Sequence, residues 1–212
     1  MCIRDRAAAV QKKGKLTAFI GVENPYPLGT NLKLVKEFYD LGARYISLTH
    51  KGHNQFADSN IPKGDQPVIM HDGLSPLGVS LVKELNKWGI LVDVSHASKK
   101  SMLDALKISK APVIASHSAV KTLCDHPRNL DDEQLLALKK NGGVVQIVAF
   151  DIYLKKKSSR RKGAEIELMK KFNLYPNYYE GYSKLSDKNK TCLLYTSPSP
   201  RDRTRSRMPS SA

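Results

Sequence analysis

Apolar residues in this chain fall into short solid runs separated by stretches of helical period. Leu16–Val22, Arg44–Thr49, Ile90–Ser95, Pro112–Ser116 and Gly143–Phe150 are the solid runs, and each reads as a strand. Between the first two, Leu32, Leu34, Val35, Phe38 and Leu41 form a broad apolar stripe, with Asn31 as the expected N-cap and Gly42 as the stop. Ser75-Pro76 opens the next helix with a cap and a first-turn proline, and the pattern carries it to Gly89. Ser98–Ser109 predicts a short helix, and Asp131 or Asp132 caps another that ends at Gly142. Lys51–Leu74 stands apart as a long polar loop. After Phe150 the pattern fades into a basic, Tyr-rich stretch with one helix expected near Ala164–Phe172.

Strands and helices therefore alternate through five strands. Strands that are apolar throughout are buried on both faces, which predicts a parallel sheet clothed by helices. A doubly wound sheet and a (β/α)8 barrel both satisfy this order. No glycine-rich phosphate loop follows any strand, which argues against the nucleotide-binding version of the first. No internal repeat is visible.

Composition changes the picture mainly at the two ends. Codons that encode Met1–Asp5 have, with two bases added, a reverse complement that encodes Cys192–Thr196. Such an inverted repeat resembles a sequencing-library adapter, so residues 1–6 and 192–212 are expected to be foreign to the fold. That leaves 7–191 as the protein proper, with 151–191 as a basic helical insertion. The formal net charge is +15, and setting aside the six arginines and two aspartates of these ends lowers it to +11. Cys124 is then the one remaining cysteine, so no disulfide framework marks the compartment. The 41% hydrophobic fraction is ordinary for a globular chain, and no apolar run approaches the ~20 residues of a membrane helix.

Candidate chemistry gathers at the ends of the predicted strands. Glu23, His50, His96 and His117 follow or close four consecutive runs, and the carboxyl ends of barrel strands are where chemistry sits. One carboxylate and three imidazoles on one rim make a donor set for a catalytic zinc with an open position for water. A carboxylate can also bridge two metals that share an activated hydroxide. Asp93, flanked by apolar strand residues, needs a partner if buried; holding a ligand histidine from behind and pairing with a neighbouring strand are both open. Arg128, on the same rim, can clamp a carboxylate with two hydrogen bonds or pair with Asp131 or Asp132. His53, His71 and His126 read as solvated loop histidines.

The segments GVENPYPLGTN, LGARYISLTHKGHNQFADS, GLSPLGVSLVKELNKWGILVDVSHAS and APVIASHSAVKTLCDHPRNLDD resemble the membrane (renal) dipeptidase family of zinc metallopeptidases. The resemblance covers about Leu16–Phe150. It implies a (β/α)8 barrel, of which about five of eight strands are present here, and a binuclear zinc centre that hydrolyses dipeptides by a zinc-bound hydroxide. Glu23 would bridge the two zincs, and His96 and His117 would complete one zinc site. His50 would steady the tetrahedral intermediate, and Arg128 would bind the substrate's terminal carboxylate. The family's His-x-Asp pair and its late DFDG-like aspartate are absent from the 212 residues. The chain is accordingly expected to be a fragment, poorly soluble and without peptidase activity.

Two other classes stay in view. A barrel metallohydrolase acting on a lactone, amide or phosphoester has the same ligand set. A basic nucleic-acid binder would use Lys155–Lys162 with Tyr175, Tyr178, Tyr179 and Tyr182, but no nucleic-acid-binding signature accompanies them and none is the expected partner. A small dipeptide is the expected partner. Homo-oligomerisation is open, as is the compartment, with bacterial cytoplasm and periplasm both compatible.

Overall fold

The computed structural model describes residues 3–156, 158–174 and 178–190, and the chain divides into two compact units after Val148. The first unit is built on a five-stranded parallel sheet in the order β1-β2-β3-β4-β5: β1 Ile20–Val22, β2 Ala43–Ser47, β3 Leu91–Asp93, β4 Ile114–Ser118 and β5 Val144–Ile147. Its helices are α1 Ile3–Gln11, α2 Leu34–Asp40, α3 Pro76–Trp88, α4 Lys99–Ile108 and α5 Asp132–Asn141. Sequential parallel neighbours joined by helices are the arrangement of a barrel wall. The doubly wound alternative, which reverses its strand order, is not what the sheet shows.

Local chemistry explains where the elements begin and end. Ser75 accepts a hydrogen bond from the Gly78 amide, Pro76 occupies the first turn, and Gly89 ends α3 in the left-handed region at φ 70°. Ser98 caps α4 through the Ser101 amide. Asp131 is the cap of α5, paired with Gln134 in a reciprocal capping box. Asn31 is not the cap of α2. Its side chain accepts from the Lys33 amide in a local turn, and the helix proper starts at Leu34 behind an uncapped Lys33.

One face of the sheet carries the core. Ile46, Leu48, Val92, Val94, Val113 and Ala115 pack with Val35, Leu81, Val82, Leu85, Met102, Ala105 and Leu138 from the helices. Along α3 the buried residues are Gly78, Leu81, Val82 and Leu85, the three-four spacing of an amphipathic helix. Each buried Val, Leu, Ile or Met side chain contributes about 1.5–3 kcal/mol relative to an exposed one.

Burial on both faces, expected from the apolar runs, does not hold throughout. Phe19 just before β1, Ile20 in β1, and Val144 and Ile147 in β5 are about half exposed, and these are the two outer strands of the sheet. The strands are also shorter than their apolar runs, because Leu16 is fully exposed and only Ile20–Val22 pairs with β2. The face opposite the helices forms an open concavity of about 320 Å³ lined by Gly21, Glu23, Tyr45, Asp93, Ser116 and His117.

The second unit contains α6 Asp151–Leu154, α7 Ser159–Lys171 and α8 Tyr178–Ser183. The helix expected near Ala164–Phe172 is thus longer at its start, capped by Ser158 through the Arg161 amide. Arg161 pairs with Asp151 and Glu165, so part of the basic run is neutralised within its own unit. Tyr175 lies outside the described residues, as do residues 192–212. No described helix is long and apolar enough to cross a membrane.

Candidate metal centre

The carboxyl ends of β1 to β4 converge. Glu23 follows β1 directly, His50 lies three residues past β2, His96 three residues past β3, and His117 sits within β4. Glu23 Oε1 lies 3.0 Å from His96 Nε2 and 3.1 Å from His117 Nε2, and the two Nε2 atoms are 2.8 Å apart. His50 stands at the edge of this group, its Nε2 4.0 Å from Glu23 Oε2 and its ring 4.5 Å from that of His96.

Backbone shape serves the convergence. His96 adopts φ 71°, a left-handed conformation uncommon outside glycine, so the chain turns sharply after β3 and the imidazole points back over the sheet. The β4–β5 ladder shifts register between Ala115 and Ser118. Strict alternation of faces is interrupted there, and Ser116 and His117 bring side-chain atoms within 2.8 Å of each other although they are adjacent in sequence.

The long loop between β2 and α3 is a brace rather than a polar excursion. Asp58 is buried and accepts from the amides of Met70, His71 and Gly73. His53, 7% exposed, donates from Nε2 to the Pro67 carbonyl, while its Nδ1 accepts the Ser59 amide. That accepted bond leaves no proton on Nδ1, so the Asp58 carboxylate 3.3 Å away is a neighbour and not an ion-pair partner. His71 Nε2 donates to the Asn54 carbonyl. The expectation of solvated histidines therefore fails at His53 and His71, whose rings replace missing backbone partners in a buried loop. The loop in turn holds the rim, for Ser59 Oγ donates to the His50 carbonyl at 2.6 Å and the Asn60 amide donates to that of His96.

Electrostatics favour neutral imidazole at the centre. His96 is 6% exposed, and burial, followed by the Arg128 guanidinium and the rings of His117 and His50, pushes its pKa down to about 2. Two imidazole nitrogens and a carboxylate oxygen, all within 3.1 Å of one another, leave room for at most one proton between the nitrogens. A single cation held by these three groups would satisfy all three lone pairs, and a triangle with these sides is small enough for one to reach each donor. The donor set, two nitrogens and one oxygen, is one that zinc accepts. Among the described residues this is the one group of three such ligands.

Asp93 is 1% exposed and fully engaged. Its Oδ1 accepts the amides of Ser95 and Ser116, and its Oδ2 accepts the Ser116 hydroxyl. It reaches the His117 ring through Ser116, the first residue of the Ser-His-Ser run, to which the sequence alone assigns no role. Arg128 is also buried, and its Nη2 donates to the His117 carbonyl at 3.0 Å beside a cavity of about 80 Å³ that Asn60, Ser118 and Asn129 help line.

A family model described as membrane dipeptidase, peptidase family M19, matches residues 2–188. An uncharacterised dipeptidase of Schizosaccharomyces pombe is 42% identical over 162 residues, which cover 76% of this chain and 38% of that one. Dipeptidase verJ of Clonostachys rogersoniana is 44% identical over 138 residues, 65% of this chain and 34% of the other. The chain thus spans little more than a third of these relatives. Among solved structures, the probable dipeptidase PvdM from Pseudomonas aeruginosa aligns with TM-score 0.70 at 31% identity, covering 94% of this chain and 49% of its own. A metallo peptidase from Rhodobacter sphaeroides, liganded with a phosphinate mimic of the dipeptide L-Ala-D-Ala, aligns with TM-score 0.60 at 28% identity, covering 66% and 41%.

Proposed function

The chain belongs to the membrane dipeptidase family, and from that premise we propose that it carries part of the active centre of a zinc-dependent dipeptidase, with Glu23, His96 and His117 as metal ligands. The observation that carries this reading is the single triangle formed by Glu23 Oε1 and the two Nε2 atoms. A zinc ion held there would polarise a peptide carbonyl and lower the pKa of a bound water.

The chain's own residues divide the remaining work. Glu23, half exposed at the mouth of the concavity, offers a second carboxylate oxygen toward His50 and so suits a bridging role between two metals. His50, exposed by about half and 4.0 Å from that oxygen, suits hydrogen bonding to an oxyanion as it forms on the substrate. The clamp role of Arg128 rests on the family resemblance. Its guanidinium is buried, with Nη2 on the His117 carbonyl, and lines the small cavity beside it.

A three-ligand centre lacks the second metal's His-x-Asp pair, so we expect zinc binding by this chain without dipeptide hydrolysis. The test is incubation of the zinc-loaded chain with L-Ala-D-Ala. Bound zinc with no turnover fits the reading. Dipeptide turnover contradicts the partial centre, and turnover of a lactone or phosphoester in preference to the dipeptide favours another metallohydrolase.

A further inference from the structure

We propose that Ser116 is a positioning residue whose hydroxyl, tied to Asp93, fixes His117 in the tautomer that leaves Nε2 free to bind a metal. The inference deepens the metal reading above and rests on it for its consequence, but not for its geometry.

The argument is a count of protons. Asp93 is surrounded by donors: two backbone amides on Oδ1 and the Ser116 hydroxyl on Oδ2. An ionised carboxylate only accepts, so the single hydroxyl proton of Ser116 goes to Asp93. The Ser95 hydroxyl, at 3.4 Å, is the more distant alternative acceptor and carries no charge. With its proton committed, Ser116 Oγ has only lone pairs to offer His117 Nδ1 at 2.8 Å. That contact is a hydrogen bond only if Nδ1 carries the proton. Nε2 is then the bare nitrogen, and it is the one facing Glu23 and His96. Which ring nitrogen of a histidine binds a metal is set by the hydrogen bond the other makes, and here a buried carboxylate sets it at one remove. His96 differs, since its Nδ1 has no partner among the described residues. His117 is thus the ligand whose tautomer the fold decides in advance.

The opposite assignment is equally explicit. Were Asp93 protonated and donating to Ser116, the hydroxyl would donate to Nδ1, the proton would sit on Nε2, and the ring would have to change tautomer before binding a metal.

The test uses the whole chain labelled with 15N-histidine and free of metal, with His117 assigned by the loss of its signals in His117→Gln. Nitrogen shifts separate the two tautomers directly. The proposal expects His117 with the proton on Nδ1 in the parent chain and a shift toward Nε2–H in Ser116→Ala. It expects zinc affinity in Ser116→Ala to fall by about 10–100-fold, the usual effect of removing such a partner. Ser116→Thr, which keeps the hydroxyl, should restore both. A proton on Nε2 in the parent chain overturns the proposal even if Ser116→Ala does not fold. So does an unchanged tautomer in Ser116→Ala. A parent chain with the proton on Nδ1 that binds no zinc supports the relay and removes the metal reading instead.

Discussion

His96 Nε2 and His117 Nε2 lie 2.8 Å apart, and both face the same oxygen of Glu23. Two imidazoles from different strand ends meet this closely only because each is brought there by a local departure from regular structure. His96 sits at a positive φ, and His117 sits at a register shift in β4. A contact this close between two imidazole nitrogens needs a shared proton or a shared cation.

The pH dependence of the metal-free chain follows from His96. Its folded pKa, about 2, is below the ordinary 6.5. Between those values the unfolded chain binds a proton that the folded chain refuses, so the unfolded state gains as pH falls. Its contribution is fully present above pH about 6.5 and is lost progressively in acid. Urea midpoints measured from pH about 7.5 to about 4.5 should fall, and His96→Gln should flatten that slope.

Asp131 should matter through the start of α5. Burial alone would raise its pKa, but the bonds from Lys99 and from the Gln134 amide outweigh that and hold the carboxyl below its usual range. The depressed value means this contribution is present above the unfolded pKa and disappears as pH falls through the folded one. Asp131→Ala removes half of the capping box and should cost about 1 kcal/mol. Thermal melts near neutral pH should show a lower Tm, with the difference from the parent narrowing below pH about 4.

Gly78 gives a prediction in which two effects oppose. Alanine is favoured over glycine inside a helix by about 1 kcal/mol. A Cβ at position 78, however, would run into the backbone carbonyl of Phe56, which cannot swing away as a flexible side chain could. Clash should win, and the urea midpoint of Gly78→Ala should fall instead of rising.

Asp58 ties the loop to the site. Asp58→Ala strands the amides of Met70, His71 and Gly73, at about 1–3 kcal/mol for each buried donor left unpaired. Because the same loop carries Ser59 and Asn60 to the carbonyls of His50 and His96, zinc affinity should weaken along with stability. Calorimetric titration of this variant beside the parent checks the affinity, and its melting temperature checks the stability.

The alternation of strands with helices and the rim position of Glu23, His50, His96 and His117 were legible because apolar runs and their polar ends are local patterns, whereas the order of strands in the sheet was not, since two architectures satisfied the same run. The caps of α3 and α5 were legible for the same reason. What sequence could not supply was anything set by contacts between distant segments. Nothing near His53 signals that its ring replaces a backbone partner of Ser59 and Pro67. Ser116 is hidden because strand alternation places it opposite His117, and only the register shift brings the two together. Asn31 misled because its side chain found the nearer Lys33 amide and left the helix to start at Leu34. The exposed outer strands followed from the expectation of an open five-stranded part of a barrel and not from the apolar runs themselves, because apolar composition does not reveal whether a strand has neighbours on both sides.

Zinc titration of the whole metal-free chain by calorimetry, beside Glu23→Gln and His117→Ala, tests the central claim most directly. One zinc per parent chain, with binding weakened by about tenfold or more in each variant, is the predicted result. A parent chain that binds no zinc, or variants that bind it as the parent does, would contradict the assignment of this triangle as a metal centre.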